Sequence, residues 1–218
     1  MDTTLKFLKQ LANNNNKEWF DVNRKTYEAV KAEFEAIVKT TIEKNSSFDP
    51  SIAGLEPKQC IFRINKDVRF SKDKSPYKTN IGASINPGGK KSMLAGYYLH
   101  IEPKKSFLAG GCYMPTPEVL SAIRQEIDYN TDDFKKIILA KDFKNYFKEL
   151  SNEGKLKTAP KGYAKDHPSI ELLQHKHFIV VHDLTDVQVC DKNFPSYASK
   201  VFKAMLPLNQ FLRGCQQV

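Results

Sequence analysis

IGASINPGGKKSMLAGYYLHIEPKKSFLAGGCY, residues 81–113, carries the clearest secondary-structure signal in the chain. Apolar residues recur in it at every second position: Ile81, Ala83 and Ile85, then Tyr97, Leu99 and Ile101. Because successive side chains of a strand point to opposite faces, this period predicts β-strands that are half buried. The short links at residues 87–90 and 103–105 contain proline, glycine or lysine and favour turns. We therefore expect an antiparallel meander.

Further strands are predicted on both sides of this stretch. Alternation of Cys60, Phe62 and Ile64 with polar neighbours predicts a strand that precedes the meander. The β-branched run at residues 178–181 predicts a central strand.

Helical patterns lie at both ends of the chain and after the meander. Apolar stripes predict helices near residues 5–11, 27–45, 118–127, 132–139, 142–150 and 197–212. Pro207 is expected to kink or divide the last of these. The fold class is therefore predicted to be α+β, a single domain over residues 1–218 with a mainly antiparallel sheet covered by N-terminal and C-terminal helices.

Composition limits the class of protein. The chain has 218 residues, 40% of them hydrophobic, which is enough to bury a core without disulfides or metals. No apolar run approaches the roughly 20 residues that span a bilayer, so we expect a cytoplasmic protein with no membrane role. Four scattered cysteines form no CxxC pair, and the histidines at positions 100, 175, 177 and 182 are interpreted as sheet-face residues. No metal or cofactor is indicated.

The charge balance favours anionic partners. Lys and Arg number 34 against 25 Asp and Glu, which gives a formal net charge of +9. Small phosphorylated or carboxylated ligands, nucleic acid and acidic proteins are all compatible with this excess.

The segment RINKDVRFSKDKSPYK, Arg63–Lys78, is predicted to be the functional surface. On a continued strand, residues 63, 65, 67 and 69 would project from one face. Arginine forks and lysine ammonium groups bind phosphate or carboxylate, so the predicted ligand-binding residues are Arg63, Arg69, Lys72, Asp73, Lys74, Tyr77 and Lys78. Asp67 would orient the arginines or move a proton. The alternative is a structural ion-pair network in which the two aspartates satisfy Arg63 and Arg69.

A second candidate segment lies at residues 162–168. Asp166 and His167 are predicted to supply an acid or a base near neutral pH, and Tyr163 to line the same pocket. If this segment meets Arg63 and Arg69 in space, the two would form a phosphate-handling cleft. The alternative is that Asp166 or His167 caps a helix that begins at Pro168 or Ser169.

Four blocks together resemble a known family. RFSKDKSPYK (69–78), NNNNKEWFDVNRKTYE (13–28), GYYLHIEP (96–103) and APKGYAKDHPSIELL (159–173) resemble domain-of-unknown-function family 2461, conserved hypothetical proteins with an RFSxDKxPYK signature. The resemblance spans most of the chain and implies its fold and boundaries. It supplies no activity.

Three functions follow from these patterns. The first is an anion-binding protein, with a hydrolase or transferase as its possible enzymatic form. The second is a nucleic-acid-binding module, and the third is a scaffold that docks an acidic partner.

Overall fold

The computed structural model describes residues 1–216. A four-stranded antiparallel sheet in the order β1-β2-β3-β4 forms its centre. The strands are β1 (Ile81–Ile85), β2 (Gly96–Ile101), β3 (Ser106–Cys112) and β4 (Phe178–Leu184). The first three form the predicted meander, with Ala83 opposite Leu99 and Leu99 opposite Leu108. The α+β class is therefore confirmed.

Helices precede, interrupt and follow the sheet. The N-terminal helices are α1 (Asp2–Asn13), α2 (Lys17–Val22), α3 (Arg24–Ser46) and α4 (Pro57–Cys60). Between β3 and β4 lie α5 (Pro117–Tyr129), α6 (Thr131–Leu139), α7 (Lys141–Lys144) and α8 (Ile170–Leu173). The chain ends with α9 (Asp186–Cys190) and α10 (Phe194–Gly214). None of the helices in residues 1–216 combines the length and apolar character needed to cross a membrane.

α10 covers one face of the sheet. A Cβ on Gly110 of β3 would lie 2.5 Å from the Met205 sulfur, so this helix packs directly on the strand. The ring centroids of Tyr97 and Phe202 are 5.2 Å apart, and Asn209 donates a hydrogen bond to the Gly96 carbonyl. The apolar positions of the strands therefore form the core on this face.

A buried ion pair joins α10 to the loop after α3. The Arg213 guanidinium donates to both carboxylate oxygens of Asp49, at 3.0 and 2.9 Å. The Tyr97 hydroxyl donates to the same carboxylate at 2.7 Å. Burial raises the pKa of Asp49, but hydrogen bonds from Arg213, Ser51 and Tyr97 together outweigh that effect and lower it. This contact links the helix, the sheet and the N-terminal half.

Two sequence predictions are wrong. The strand expected over residues 60–65 is not formed as such: Cys60 ends α4, which Pro57 starts and which Glu56 and Gln59 close as a capping box, and residues 61–65 make the isolated bridges of Ile61 to Ala83 and of Asn65 to Tyr77. β4 is an edge strand rather than a central one, since β3 is its one partner among the described residues. Pro207 lies inside α10, which runs from Phe194 to Gly214, so it does not divide the helix, and the expected kink stays a prediction.

Candidate functional site

The segment Arg63–Lys78 forms a narrow loop rather than a strand. Isolated bridges join Ile61 to Ala83 and Asn65 to Tyr77. Backbone hydrogen bonds from Lys66 to the Pro76 carbonyl and from Lys78 to the Ile64 carbonyl close its base. We call residues 66–76 the signature loop. Because the strand does not continue, the predicted single charged stripe at residues 63, 65, 67 and 69 is not formed as a strand face.

The charges at the tip of the signature loop pair with each other. Arg69 donates to both carboxylate oxygens of Asp67, at 3.0 and 2.8 Å. Asp73 accepts from Lys66 and from the hydroxyl and backbone N–H of Ser75. Hydrogen bonds from Arg69 lower the pKa of Asp67, and the bond from Lys66 is the largest cause of a lowered pKa at Asp73.

The lysines of the signature loop extend into solvent. Lys72 and Lys74 are exposed, and the Lys74 ammonium donates to the Val68 carbonyl at 3.0 Å. The tip thus forms part of the structural alternative, since Asp67 pairs with Arg69, whereas Asp73 pairs with Lys66 instead of Arg63. A ligand-binding role for Arg69, Lys72, Asp73 and Lys74 stays a prediction.

Tyr77 lies in the core instead of lining an open pocket. Its ring stacks on Phe20 of α2, with centroids 4.0 Å apart and an interplanar angle of 14°. The side-chain amide of Asn15 donates to the Tyr77 carbonyl and accepts from its N–H. Tyr77 therefore anchors the signature loop to the N-terminal helices.

His167 belongs to a separate hydrogen-bonded cluster on α5. Its Nδ1 accepts from the backbone N–H of Ser169 at 3.1 Å, so its Nε2 carries the proton that is donated to Asp128 at 2.8 Å. Tyr163 lies edge-on to the imidazole, 5.9 Å between centroids, and Asp166 is exposed. The contact with Ser169 is the expected local role at the start of α8.

The two predicted segments are not in direct contact. Within residues 1–216, no hydrogen bond, ion pair or ring contact joins residues 63–78 to residues 162–167. The first segment is attached to α2 and β1, and the second to α5 and α8. The proposed cleft between Arg63, Arg69 and His167 thus has no contact to support it.

Polar side chains line the sheet face opposite α10. In β2, Tyr97, Leu99 and Ile101 are buried in the core, so Tyr98 and His100 project from the other face. The Tyr98 hydroxyl lies 3.2 Å from His100 Nδ1, and His100 Nε2 lies 3.2 Å from Glu102 Oε2. We call Tyr98, His100 and Glu102 the strand relay.

The hydrogen bonds of the strand relay determine which ring nitrogen of His100 carries the proton. A carboxylate can only accept, so Glu102 requires the proton of His100 on Nε2. Nδ1 is then free to accept from the Tyr98 hydroxyl. Burial lowers the pKa of His100, although Glu102 opposes this effect, and burial raises the pKa of Tyr98. At neutral pH the relay therefore contains a neutral imidazole and a protonated phenol.

The surroundings hold the strand relay in place. The His100 imidazole stacks on Phe107 of β3, with centroids 4.5 Å apart and planes within 12°. The Thr79 hydroxyl donates to the second oxygen of Glu102 at 3.3 Å. A Cβ on Gly82 would lie 2.5 Å from the Tyr98 hydroxyl, so only glycine leaves room for this oxygen above β1.

One cation of the predicted segment, Lys78, lies near the strand relay across an aromatic ring. The Lys78 ammonium lies 5.6 Å from the Phe62 ring centroid, and Phe62 meets Tyr98 edge-on at 6.3 Å. Burial lowers the pKa of Lys78, and the charge of Arg63 lowers it further. The charge of Arg63 also lowers the pKa of Asp67, the partner of Arg69, so Arg63 acts on both the base and the tip of the signature loop.

A different groove carries none of the predicted residues. It has a volume of about 750 Å³ and lies between α3 and residues 53–58. Its charged lining has both signs, with Glu35, Glu43 and Glu56 against Lys39 and Lys58. Such a mixture gives no reason to expect an anion there. No group of three or more His, Cys, Asp and Glu side chains within residues 1–216 is arranged to bind a metal ion.

A comparison of the sequence with protein families finds a matching family. The model of the family described as "Conserved hypothetical protein (DUF2461)" matches residues 3–211. The chain belongs to this family. No curated protein and no solved structure matches the chain. The DUF2461 match thus includes the signature loop and the strand relay together.

The DUF2461 stretch GYYLHIEP contained a signal that the sequence analysis did not use. Tyr98, His100 and Glu102 are spaced by two, opposite the buried positions of the same strand. Side chains two positions apart on one strand face are neighbours, so a hydroxyl, an imidazole and a carboxylate at this spacing can form hydrogen bonds in sequence. That pattern could have selected the strand relay, but which face is left open by α10 could not be read from it.

Proposed function

We propose that this chain binds a small ligand with a phosphate or carboxylate group on the sheet face that carries the strand relay, and that His100 takes the proton of the Tyr98 hydroxyl when this ligand reacts. The observation that supports the proposal is the position of His100, between the Tyr98 hydroxyl and the Glu102 carboxylate. A hydroxyl, a base and a group that orients the base form the arrangement of an activated nucleophile or a general acid.

The chemistry of such an arrangement is group transfer or hydrolysis at an ester or phosphoester. The proton of Tyr98 would pass to Nδ1 of His100, and Glu102 would stabilise the imidazolium that results. A lowered pKa keeps His100 neutral and able to accept that proton at neutral pH. We assign these roles to the strand relay in preference to Asp67, Asp166 and His167, because Asp67 is paired with Arg69 and His167 with Asp128.

The cations support an anionic ligand. Burial lowers the pKa of Lys78, and the charge of Arg63 lowers it further, so the two positive charges repel each other. An anion placed between them would remove this repulsion and raise the pKa of Lys78. The net charge of +9 would increase the rate of encounter with such a ligand.

We also propose a cytoplasmic location. Cys60, Cys112, Cys190 and Cys215 are all free thiols, and three of them are buried. Free thiols in this number are usual in a reducing compartment.

A thermal-shift screen tests the ligand class. Wild type, Lys78→Met and the control Lys203→Met, which removes an exposed lysine of α10, are heated with inorganic phosphate, phosphorylated metabolites and organic acids. A ligand that binds the folded state raises the melting temperature. We expect one class of anion to stabilise wild type and Lys203→Met, and to lose its effect on Lys78→Met. Equal stabilisation of all three proteins, or of none, would contradict the proposal.

Turnover of the ligand tests the role of the strand relay. Any compound that stabilises the protein is incubated with wild type and with His100→Gln. We expect His100→Gln to retain most of the thermal shift and to lose most of the conversion, because the imidazole moves the proton and Lys78 contacts the anion. Binding without any conversion by wild type would leave an anion-binding protein that is not an enzyme.

A further inference from the structure

Within residues 1–216, the most exposed large apolar side chain is Phe70, at the tip of the signature loop. Phe70 is 95% exposed, compared with 85% for Val22 and 81% for Val187. The Arg69 guanidinium lies 5.8 Å from its ring centroid and covers one face. The ring is otherwise open to solvent, so a partner that covers it would bury apolar surface and gain affinity.

The loop holds Phe70 outward through its own hydrogen bonds. Asp67 with Arg69 and Asp73 with Ser75 fix the backbone on both sides of the ring. The Lys74 ammonium closes the tip by donating to the Val68 carbonyl. Little conformational entropy is lost when a prearranged loop binds a partner. The ring is therefore presented for contact by a loop that is already ordered.

The surroundings of the ring are cationic. The signature loop has four cations, Lys66, Arg69, Lys72 and Lys74, against two carboxylates, Asp67 and Asp73. Both carboxylates are engaged within the loop, whereas Lys72 is exposed. A partner that contacts Phe70 must therefore tolerate or carry negative charge.

A second ring with a neighbouring cation lies near the base of the loop. Phe62 is 38% exposed, and the Lys78 ammonium lies 5.6 Å from its centroid. An aromatic ring beside a positive charge thus occurs twice along one segment of the chain.

We propose that the signature loop binds single-stranded nucleic acid, with one base stacked on the open face of Phe70 and phosphates contacted by Lys72 and Lys74. Every base has a π-face, and stacking on an aromatic ring combined with basic side chains is the usual recognition of single strands. An anionic membrane is less favoured, because one apolar side chain gives only marginal membrane binding. An acidic protein is less favoured, because Phe70 is the one large apolar side chain that the signature loop exposes, and protein interfaces centre on clusters of such anchors.

Fluorescence anisotropy with a labelled oligo-dT of about 12 nucleotides tests this inference. The proteins are wild type, Phe70→Ala, Phe70→Tyr and Val187→Ala, which truncates another exposed apolar side chain on α9. Loss of one stacked base is expected to weaken binding about tenfold in Phe70→Ala. Phe70→Tyr retains the π-face and Val187→Ala lies elsewhere, so both should bind like wild type.

Charge and salt provide the second part of the test. Lys72→Glu with Lys74→Glu is expected to weaken binding further and to reduce the dependence of affinity on salt. Equal affinity of Phe70→Ala and Val187→Ala would overturn the inference. It would also be overturned if polyglutamate or vesicles of anionic lipid, and not the oligonucleotide, lost affinity in Phe70→Ala. These variants leave Lys78 and the strand relay unchanged, so failure here is distinct from failure of the proposed function.

Discussion

The side-chain amide of Asn15 forms two hydrogen bonds with the backbone of Tyr77, 62 positions away. Its nitrogen donates to the Tyr77 carbonyl at 2.9 Å, and its oxygen accepts from the Tyr77 N–H at 3.1 Å. The amide thus satisfies the backbone N–H and C=O of Tyr77, as a paired strand would, at the end of the signature loop. Together with the stacking of Tyr77 on Phe20, it determines where the loop leaves the core.

Asn15→Leu should therefore destabilise the protein and loosen the signature loop. Both backbone groups of Tyr77 would lose their partner in a partly buried place, at a cost of about 1–3 kcal/mol. Urea denaturation measures the cost, and hydrogen exchange at Tyr77 measures the loosening. Asn14→Leu is the matched control, because Asn14 is exposed and its side chain donates to the Gln10 carbonyl of the preceding helix, α1. If both variants lose the same stability, the contact does not anchor the loop.

Gly82→Ala should displace Tyr98 from the strand relay. The added methyl would lie 2.5 Å from the Tyr98 hydroxyl, and overpacking of this kind costs about 1–3 kcal/mol. The same change in a Tyr98→Phe background should cost less, because the hydroxyl is gone. A double-mutant cycle by urea denaturation measures the difference. Additive costs would mean that the hydroxyl does not occupy this position.

His100 should make stability depend on pH below the ordinary histidine value of about 6.5. Its pKa is lowered by burial in the folded state, so between that lowered pKa and 6.5 the unfolded chain binds a proton that the folded chain does not. Stability therefore falls as the pH falls through this window and is constant below it. Urea midpoints at several pH values should show a smaller loss for His100→Gln than for wild type. An NMR titration that gives His100 a pKa above 6.5 would contradict this expectation.

The ion pair of Asp49 and Arg213 should be the most sensitive charged contact in the fold. Their side chains are 4% and 12% exposed, and removing one partner leaves the other charge unpaired, which costs about 3–5 kcal/mol. Thermal or urea unfolding of Arg213→Met measures the loss. Lys136→Met breaks the exposed pair with Asp133 and should change stability by less than about 1 kcal/mol.

Acid should weaken the same contact. The lowered pKa of Asp49 contributes stability that is present above the ordinary Asp value and is lost as the pH falls through the folded value. This part of the acid sensitivity should be missing from Arg213→Met, as urea midpoints between about pH 5 and pH 2 would reveal. An unchanged acid profile would mean that Arg213 does not lower the pKa of Asp49.

Local patterns were sufficient for the sheet and for most helices. Alternation in residues 81–113 predicted three strands and their antiparallel order, because the period of two and the short turns both act over neighbouring residues. The same reasoning failed in part at residues 60–65, where Pro57 and a capping box started α4, which ends at Cys60. Residues 61–65 are left with two isolated bridges instead of a continuous ladder.

The candidate site depended on contacts between distant parts of the chain. The charges of residues 63–78 were evident as a cluster, but Lys78 contacts the ring of Phe62, which packs against Tyr98 of β2, while Arg69 and Lys72 lie at an exposed tip. Tyr77 was expected in a ligand site and lies in the core instead, because its ring stacks on Phe20 and its backbone is hydrogen-bonded to the side chain of Asn15.

Residue order therefore determined the strands, the helical stripes and the existence of a charged segment, since each depends on neighbours in the chain. Which face of β2 stays open depends on where α10 packs, more than 90 positions away. Only that packing turns Tyr98, His100 and Glu102 from alternate residues of a strand into one hydrogen-bonded relay on an accessible surface.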